Sequence, residues 1–178
     1  GARPYLLADH PEAGYNQRMT DIQAALGSTQ MKRAGDIIAE RQRLAARYNE
    51  AFSEIDWLQT PGSGQGFEHG YQSYPCLFEP LRVTDALKTS DFAEIKALNA
   101  ERNEWMDELQ RYGVSTRPAT HAVHMLSFYK QKYSLRPEEF PRSFAANDCS
   151  ISLPLFHGMT LKEQDYVIDF FLNKKNGK

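Results

Sequence analysis

A long helical pattern over residues 20–53 is the feature that most constrains how this 178-residue chain can fold. Thr20 and Gln23 form a capping-box sequence, in which each side chain satisfies a backbone amide at the start of a helix. Apolar residues then recur at helical spacing, with charged residues on much of the opposite face. The apolar set is Ile22, Ala25, Leu26, Ala34, Ile37, Ile38, Leu44, Ala45, Tyr48 and Phe52. The pattern predicts one long helix, or two nearly collinear helices that meet near Gly35, and a helix of that length in so short a chain is typical of packing against another domain or subunit.

The residues after this helix predict a small α+β fold, in which a long linking helix is followed by a small antiparallel sheet covered by helices. Three short strands are predicted, over residues 71–78, 114–117 and 150–153. Pro75 has no amide hydrogen to donate to a neighbouring strand, so it favours an edge position for the first of them.

Two further helices are predicted to cover these strands. One begins at a cap on Asn99 and stops at Gly113, and the last opens at a capping box made by Thr160 and Glu163. Residues 124–148 predict short helical turns. The apolar face of the last helix is predicted to contain Leu161, Tyr166, Val167 and Phe170.

Charge and cysteine content exclude several classes of function. The 21 basic and 23 acidic side chains leave a net charge of -2, without the positive surplus that nucleic-acid binding requires. No apolar run approaches the roughly 20 residues of a membrane span. Cys76 and Cys149 are too few and too far apart for a disulfide framework or a zinc-ligand pattern, so we expect reduced, buried thiols and a cytoplasmic protein.

The sequence contains no pattern for a self-contained active site. His121 and His124 lie three residues apart, but a metal site needs three or four ligands and no carboxylate or cysteine lies at helical spacing from them, so we expect no metal. The nucleophile elbow of hydrolases, the phosphate-binding P-loop and the Rossmann fingerprint are all absent.

Two segments do indicate anion binding. Asn16 and Arg18 precede the first helix, where free backbone amides and the helix dipole favour an anion, although both side chains could instead only brace their loop. Arg117 ends a predicted strand before a loop stiffened by Pro118. A guanidinium in that place suits a phosphate, although a single exposed Arg is the alternative.

These two segments and a third resemble sequence blocks of the DegT/DnrJ/EryC1/StrS family, the pyridoxal-phosphate-dependent nucleotide-sugar aminotransferases of fold type I in the aspartate aminotransferase superfamily. The blocks are residues 14–27 (GYNQRMTDIQAALG), 113–124 (GVSTRPATHAVH) and 151–160 (ISLPLFHGMT). They follow the family's order and extend the resemblance over residues 14–171. Residues 79–98 depart from it and resemble a local insertion.

The resemblance implies a cofactor site shared between two subunits of a homodimer. In the family, the Asn that matches Asn16 reaches the phosphate of the pyridoxal phosphate held by the neighbouring subunit. Tyr15 and Arg18 match residues of the same wall between subunits. Asn16 is therefore the expected cofactor-binding residue, and Tyr15 and Arg18 are expected to face the substrate.

The second block implies further substrate-binding residues. Arg117 and His121 match residues that lie near the entrance for the sugar nucleotide. His124 either binds the substrate there too or only packs against its own loop.

The family's catalytic Lys, which forms the Schiff base with the cofactor, precedes the block around Asn16, and this chain has no Lys before Asn16. We therefore expect no catalytic residue here, and a chain that is inactive alone. Gly1 in place of an initiator Met suggests a chain cut from something longer. The expected organisation is the end of a large cofactor-binding domain at residues 1–19, an interdomain helix at 20–53 and a small C-terminal domain at 54–178.

Several functions are compatible with this resemblance. The first is transfer of an amino group, from glutamate, to a keto-sugar nucleotide through pyridoxal phosphate. The second is dehydration of such a sugar, as in family members where His replaces the Lys. A binding module without catalysis is the third, and the catalytic half could also be a separate chain.

Overall fold

The computed structural model describes residues 18–175, and the chain divides into two compact units at the boundary between Gly35 and Asp36. The helical pattern over 20–53 forms two helices, α1 (Asp21–Met31) and α2 (Ala34–Ala51), separated by a turn. The break lies at Lys32 and Arg33, near Gly35, so two helices form instead of one. The capping box before α1 is present, since Gln23 Oε1 accepts from the Thr20 amide at 3.0 Å and Thr20 Oγ1 accepts from the Gln23 amide at 3.3 Å.

A three-stranded antiparallel sheet in the order β1-β2-β3 confirms the predicted α+β class. Its strands are β1 (Leu58–Gln59), β2 (Tyr74–Phe78) and β3 (Ser150–Leu153). The predicted edge position of β2 is wrong, because this strand is central. Pro75 is tolerated there because the two-residue β1 pairs only with the far end of β2 and does not reach the proline.

The predicted strand over 114–117 does not form as a full strand. Of these residues, only Arg117 joins the sheet, through a single antiparallel bridge to Ser152. Pro118 follows at once and has no amide hydrogen, so it cannot extend the ladder.

Helices cover the sheet, and their bounds correct two predictions. After β2 come α3 (Pro80–Thr89), α4 (Phe92–Arg111), α5 (Ser127–Tyr133), α6 (Pro141–Cys149) and α7 (Leu161–Lys175). The second predicted helix starts seven residues before Asn99, because the Asp91 carboxylate accepts from the Glu94 amide at 3.0 Å and caps α4 there. Residues 79–98, which depart from the family resemblance, form α3 and the first turns of α4. No helix within residues 18–175 is long and apolar enough to cross a membrane.

The core of the larger unit surrounds the sheet and the inner face of α7. The capping box of Thr160 and Glu163 is present as predicted, but Leu161 and Tyr166 are about half exposed and do not belong to the buried face. The face that packs inward consists of Gln164, Val167, Ile168 and Phe171, with Phe170 partly buried. Both cysteines are free and buried, as expected.

Candidate functional site

A polar cavity of about 270 Å³ lies beside the bridge between Arg117 and β3. Arg117 is exposed and lines this cavity, and most of the other lining residues carry hydroxyl or amide side chains or contribute backbone polar groups. Such groups suit a ligand that carries both negative charge and hydroxyls. The lining residues are Gln72, Ser73, Ser115, Thr116, Arg117, Ser152, Leu153, Pro154 and Leu155.

Two side chains of α2 hold the walls of this cavity in place. Arg41 donates to the carbonyl oxygens of Tyr71 at 2.8 Å, Gln72 at 2.9 Å and Leu155 at 3.5 Å, and so ties the segment before β2 to the segment after β3. The Tyr48 hydroxyl donates to the Pro154 carbonyl at 3.0 Å. Burial raises the pKa of Tyr48 well above its usual value, so the phenol stays protonated and remains a donor.

The loop after Arg117 carries the other predicted substrate residues. His121 is exposed on this loop and does not line the cavity. His124 is 7% exposed, and its ring lies against Phe140 at a centroid distance of 4.9 Å. The interior position of His124 is what the packing alternative requires of it.

Most of the site residues predicted in the first segment lie outside the described residues. Asn16 and Tyr15 lie outside the described residues. Arg18 is exposed two residues before Thr20, the cap of α1, in the unit that ends at Gly35. Among residues 18–175 there is no group of three or more His, Cys, Asp or Glu side chains that could hold a metal ion.

Sequence reasoning missed several cavity residues, among them Gln72, Ser73 and Ser115. Each is a small or neutral polar residue, with nothing in its type to distinguish it from an exposed loop residue. A positional signal exists for two of them. Ser73 directly precedes β2, and Ser115 lies two residues before the bridge at Arg117, so both lie where chain segments enter the sheet.

The Arg117 cavity does not form a pyridoxal phosphate site by itself. The cofactor requires a lysine amine for its covalent attachment, and no lysine is among the residues that line the Arg117 cavity. The cavity therefore offers no group for covalent attachment of the cofactor.

The sequence matches the model of the DegT/DnrJ/EryC1/StrS aminotransferase family over residues 5–172, which is nearly the whole chain. The chain belongs to this family. Members of the family use pyridoxal phosphate, and a relative of known structure has been solved in PLP- and PMP-forms.

Individual relatives agree with this assignment. The chain is 29% identical to the spore coat polysaccharide biosynthesis protein SpsC of Bacillus subtilis, over 88% of this chain and 36% of that protein. It is 25% identical to the GDP-perosamine synthase of Caulobacter vibrioides, over 89% of this chain and 38% of that protein. The chain thus spans little more than a third of the length of these relatives.

The fold agrees as well. A putative sugar aminotransferase from Streptococcus pneumoniae, in its apo-form, superimposes with a TM-score of 0.71 at 22% identity, over 89% of this chain and 36% of that one. This likeness confirms that the small sheet and its helices have the fold of the corresponding part of a sugar aminotransferase.

Proposed function

We propose that this chain supplies the substrate-facing small domain of a pyridoxal-phosphate-dependent aminotransferase, which moves an amino group from glutamate to a keto-sugar nucleotide. The family match over residues 5–172 is the observation that carries the proposal. The polar cavity at Arg117 supports it, because a nucleotide sugar combines a diphosphate with hydroxyl groups. The name of one relative, GDP-perosamine synthase, also points to a nucleotide sugar.

Within this proposal, Arg117 binds a charged part of the sugar nucleotide, and Ser73 and Ser115 contact its hydroxyl groups. His121 lies four residues after Arg117 on the same exposed loop and faces the incoming substrate. The hydrogen bonds from Arg41 hold the segment before β2 and the segment after β3 at a fixed separation. The cavity is therefore ordered in advance, which reduces the entropy lost when the ligand binds.

Asn16, Tyr15 and Arg18 have a different task in the proposed enzyme. They face the active site of the partner in a homodimer, where Asn16 holds the phosphate of the cofactor. Bound pyridoxal phosphate supplies the electron sink for amino transfer. In the complete dimer, Asn16→Ala should therefore shorten the time for which the purified protein retains its cofactor on dialysis, and unchanged retention would remove Asn16 from the site.

The direct test uses the native protein, captured from the cells that make it with antibodies against this chain. The captured protein is assayed for bound cofactor, for its intact mass and for reaction with a keto-sugar nucleotide and glutamate. Cofactor together with glutamate-dependent formation of an amino sugar supports the proposal. Loss of water from the sugar without amino transfer would identify the dehydratase instead. A mass near 20.4 kDa with no cofactor would identify a binding module.

A further inference from the structure

The loop that carries Arg117 and His121 is attached to the fold at three points. The Arg117 carbonyl accepts from the Ser152 amide of β3 at 2.8 Å. Two residues further, the Ala119 amide donates to the Ser150 hydroxyl at 3.2 Å. The Ala122 amide, next to His121, donates to Oδ1 of Asn147 at 3.0 Å. Two of the three contacts therefore depend on side chains from the junction between α6 and β3, residues 147–150.

The amide of Asn147 is held in one orientation. Its Nδ2 donates to Oδ1 of Asp148 at 2.8 Å, and the carboxylate can only accept, so the carbonyl oxygen of the amide is left facing the Ala122 amide. Asp148 is 3% exposed and forms an ion pair with Lys96 at 2.7 Å. This orientation of Asn147 thus follows from a buried carboxylate, paired with the partly exposed Lys96, that lies outside the loop.

The helix α4 fixes the junction itself. Asn99 donates to the Asp148 carbonyl at 2.8 Å, and the buried Arg102 donates to the Ser150 carbonyl at 2.6 Å. With Lys96, these residues are spaced three apart, so they lie along one face of α4. Ser150 is therefore held through its carbonyl while its hydroxyl holds the loop.

We propose that Ser150 and Asn147 are positioning residues, which hold the loop over residues 117–122 so that Arg117 and His121 are presented to the substrate. This inference rests on the proposed function for the role of Arg117, but the contacts that carry it are internal to the chain. Neither side chain touches the ligand in this account. Both act through backbone amides of the loop.

Amide hydrogen exchange of the full chain, followed by NMR, tests the attachment. Ser150→Ala should accelerate exchange of the Ala119 amide about fivefold, and Asn147→Ala that of the Ala122 amide by a similar factor, since each removes one hydrogen-bond acceptor. Ser150→Thr keeps the hydroxyl and should restore slow exchange. Cys149→Ala is the matched control, because it removes a buried side chain of the same junction without touching either contact. Unchanged exchange at Ala119 and Ala122, or equal acceleration in the control, would overturn the proposal.

A second readout separates positioning from a purely structural role. Inorganic pyrophosphate serves as the probe for the diphosphate group. Ser150→Ala should weaken its binding several-fold while Ser150→Thr and Cys149→Ala bind as the unmodified chain does, and equal affinity in Ser150→Ala would contradict positioning. If the unmodified chain and Arg117→Ala bind the probe equally, the proposed role of Arg117 fails, while the exchange measurements still decide how the loop is held.

Discussion

The helices α1 and α7 begin with the same capping hydrogen bonds but differ in how far their side chains are buried. Each opens at a Thr whose hydroxyl accepts the amide three residues on, and each has a side chain at that position, Gln23 or Glu163, that accepts the amide of the Thr. No residue of α1 is buried, and Ile22 is 84% exposed. In α7, Ile168 is 6% exposed and Phe171 is 1% exposed.

The difference shows that a capping box determines where a helix starts but carries no information about what the helix packs against. Hydrogen bonds at the helix start are satisfied within four residues, whereas burial requires a partner elsewhere. The core gives α7 that partner, with the Phe171 ring stacked at 5.8 Å from Trp57 and 5.9 Å from Trp105. The apolar residues of α1 have no such neighbours within the part of the chain that the structure describes.

The strongest test of this difference in burial is to make the same substitution in both helices. Ile168→Ala should lower the free energy of unfolding by about 2–5 kcal/mol, because it leaves a cavity in the core. Ile22→Ala should change it by no more than about 0.5 kcal/mol, because the side chain is already in water. Urea denaturation of both variants gives the two values. Similar losses would mean that α1 is packed as tightly as α7.

Removal of the two capping hydroxyls should also destabilise the protein more in α7 than in α1, but by a smaller difference in unfolding free energy. Thr160→Ala should cost about 1 kcal/mol of unfolding free energy, because α7 is part of the cooperative core. Thr20→Ala should leave the midpoint of core unfolding unchanged and should only accelerate amide exchange in the first turn of α1. A shift of the midpoint by Thr20→Ala would mean that the start of α1 contributes to the unfolding of the core.

A smaller effect distinguishes the caps by pH. Hydrogen bonds from the Thr160 amide and hydroxyl favour the ionised form of Glu163 and hold its pKa below the usual range. The stabilisation by this carboxylate is thus complete above the ordinary pKa of glutamate and is lost as the pH falls through the lower folded-state value. Gln23 cannot titrate. Acidification should therefore lower the protection of amides at the start of α7, expressed relative to their intrinsic exchange rates at each pH, and not that of amides at the start of α1.

Glu163→Gln is the control for that measurement, since it retains an accepting oxygen and removes the charge. The variant should lose the pH dependence at the start of α7. If the dependence persists in Glu163→Gln, another group is responsible for it.

Local signals account for what could be predicted of the fold. The strand at 150–153, the capping boxes at Thr20 and Thr160 and the α+β class all depend on contacts or patterns of a few residues, and all are confirmed. The central position of β2 depends instead on β1, which pairs with the second edge of β2. With two residues, β1 is too short to show a pattern in the sequence. The start of α4 could not be predicted either, because Asp91 and Asn99 are both suitable cap residues. Only the tertiary packing of residues 92–98 decides between them.

The candidate site follows a similar division. Arg117 could be singled out because its charge and the following proline distinguish it from its neighbours, and it does line a polar cavity. Ser150 and Asn147 could not be found from sequence, because their importance lies in contacts with amides 31 and 25 residues away. Sequence patterns report the residue types of a site more readily than the contacts that hold it.

The most direct test of the central claim is a comparison of Michaelis constants in the native enzyme. Arg117→Ala should raise KM for the sugar nucleotide about tenfold or more, since a charge-assisted contact is lost, while KM for glutamate stays nearly constant. Arg142→Ala, which removes an exposed guanidinium from α6 outside the cavity, is the matched control and should change neither value. Equal changes in both constants, or none in Arg117→Ala, would contradict the assignment of this cavity to the sugar nucleotide.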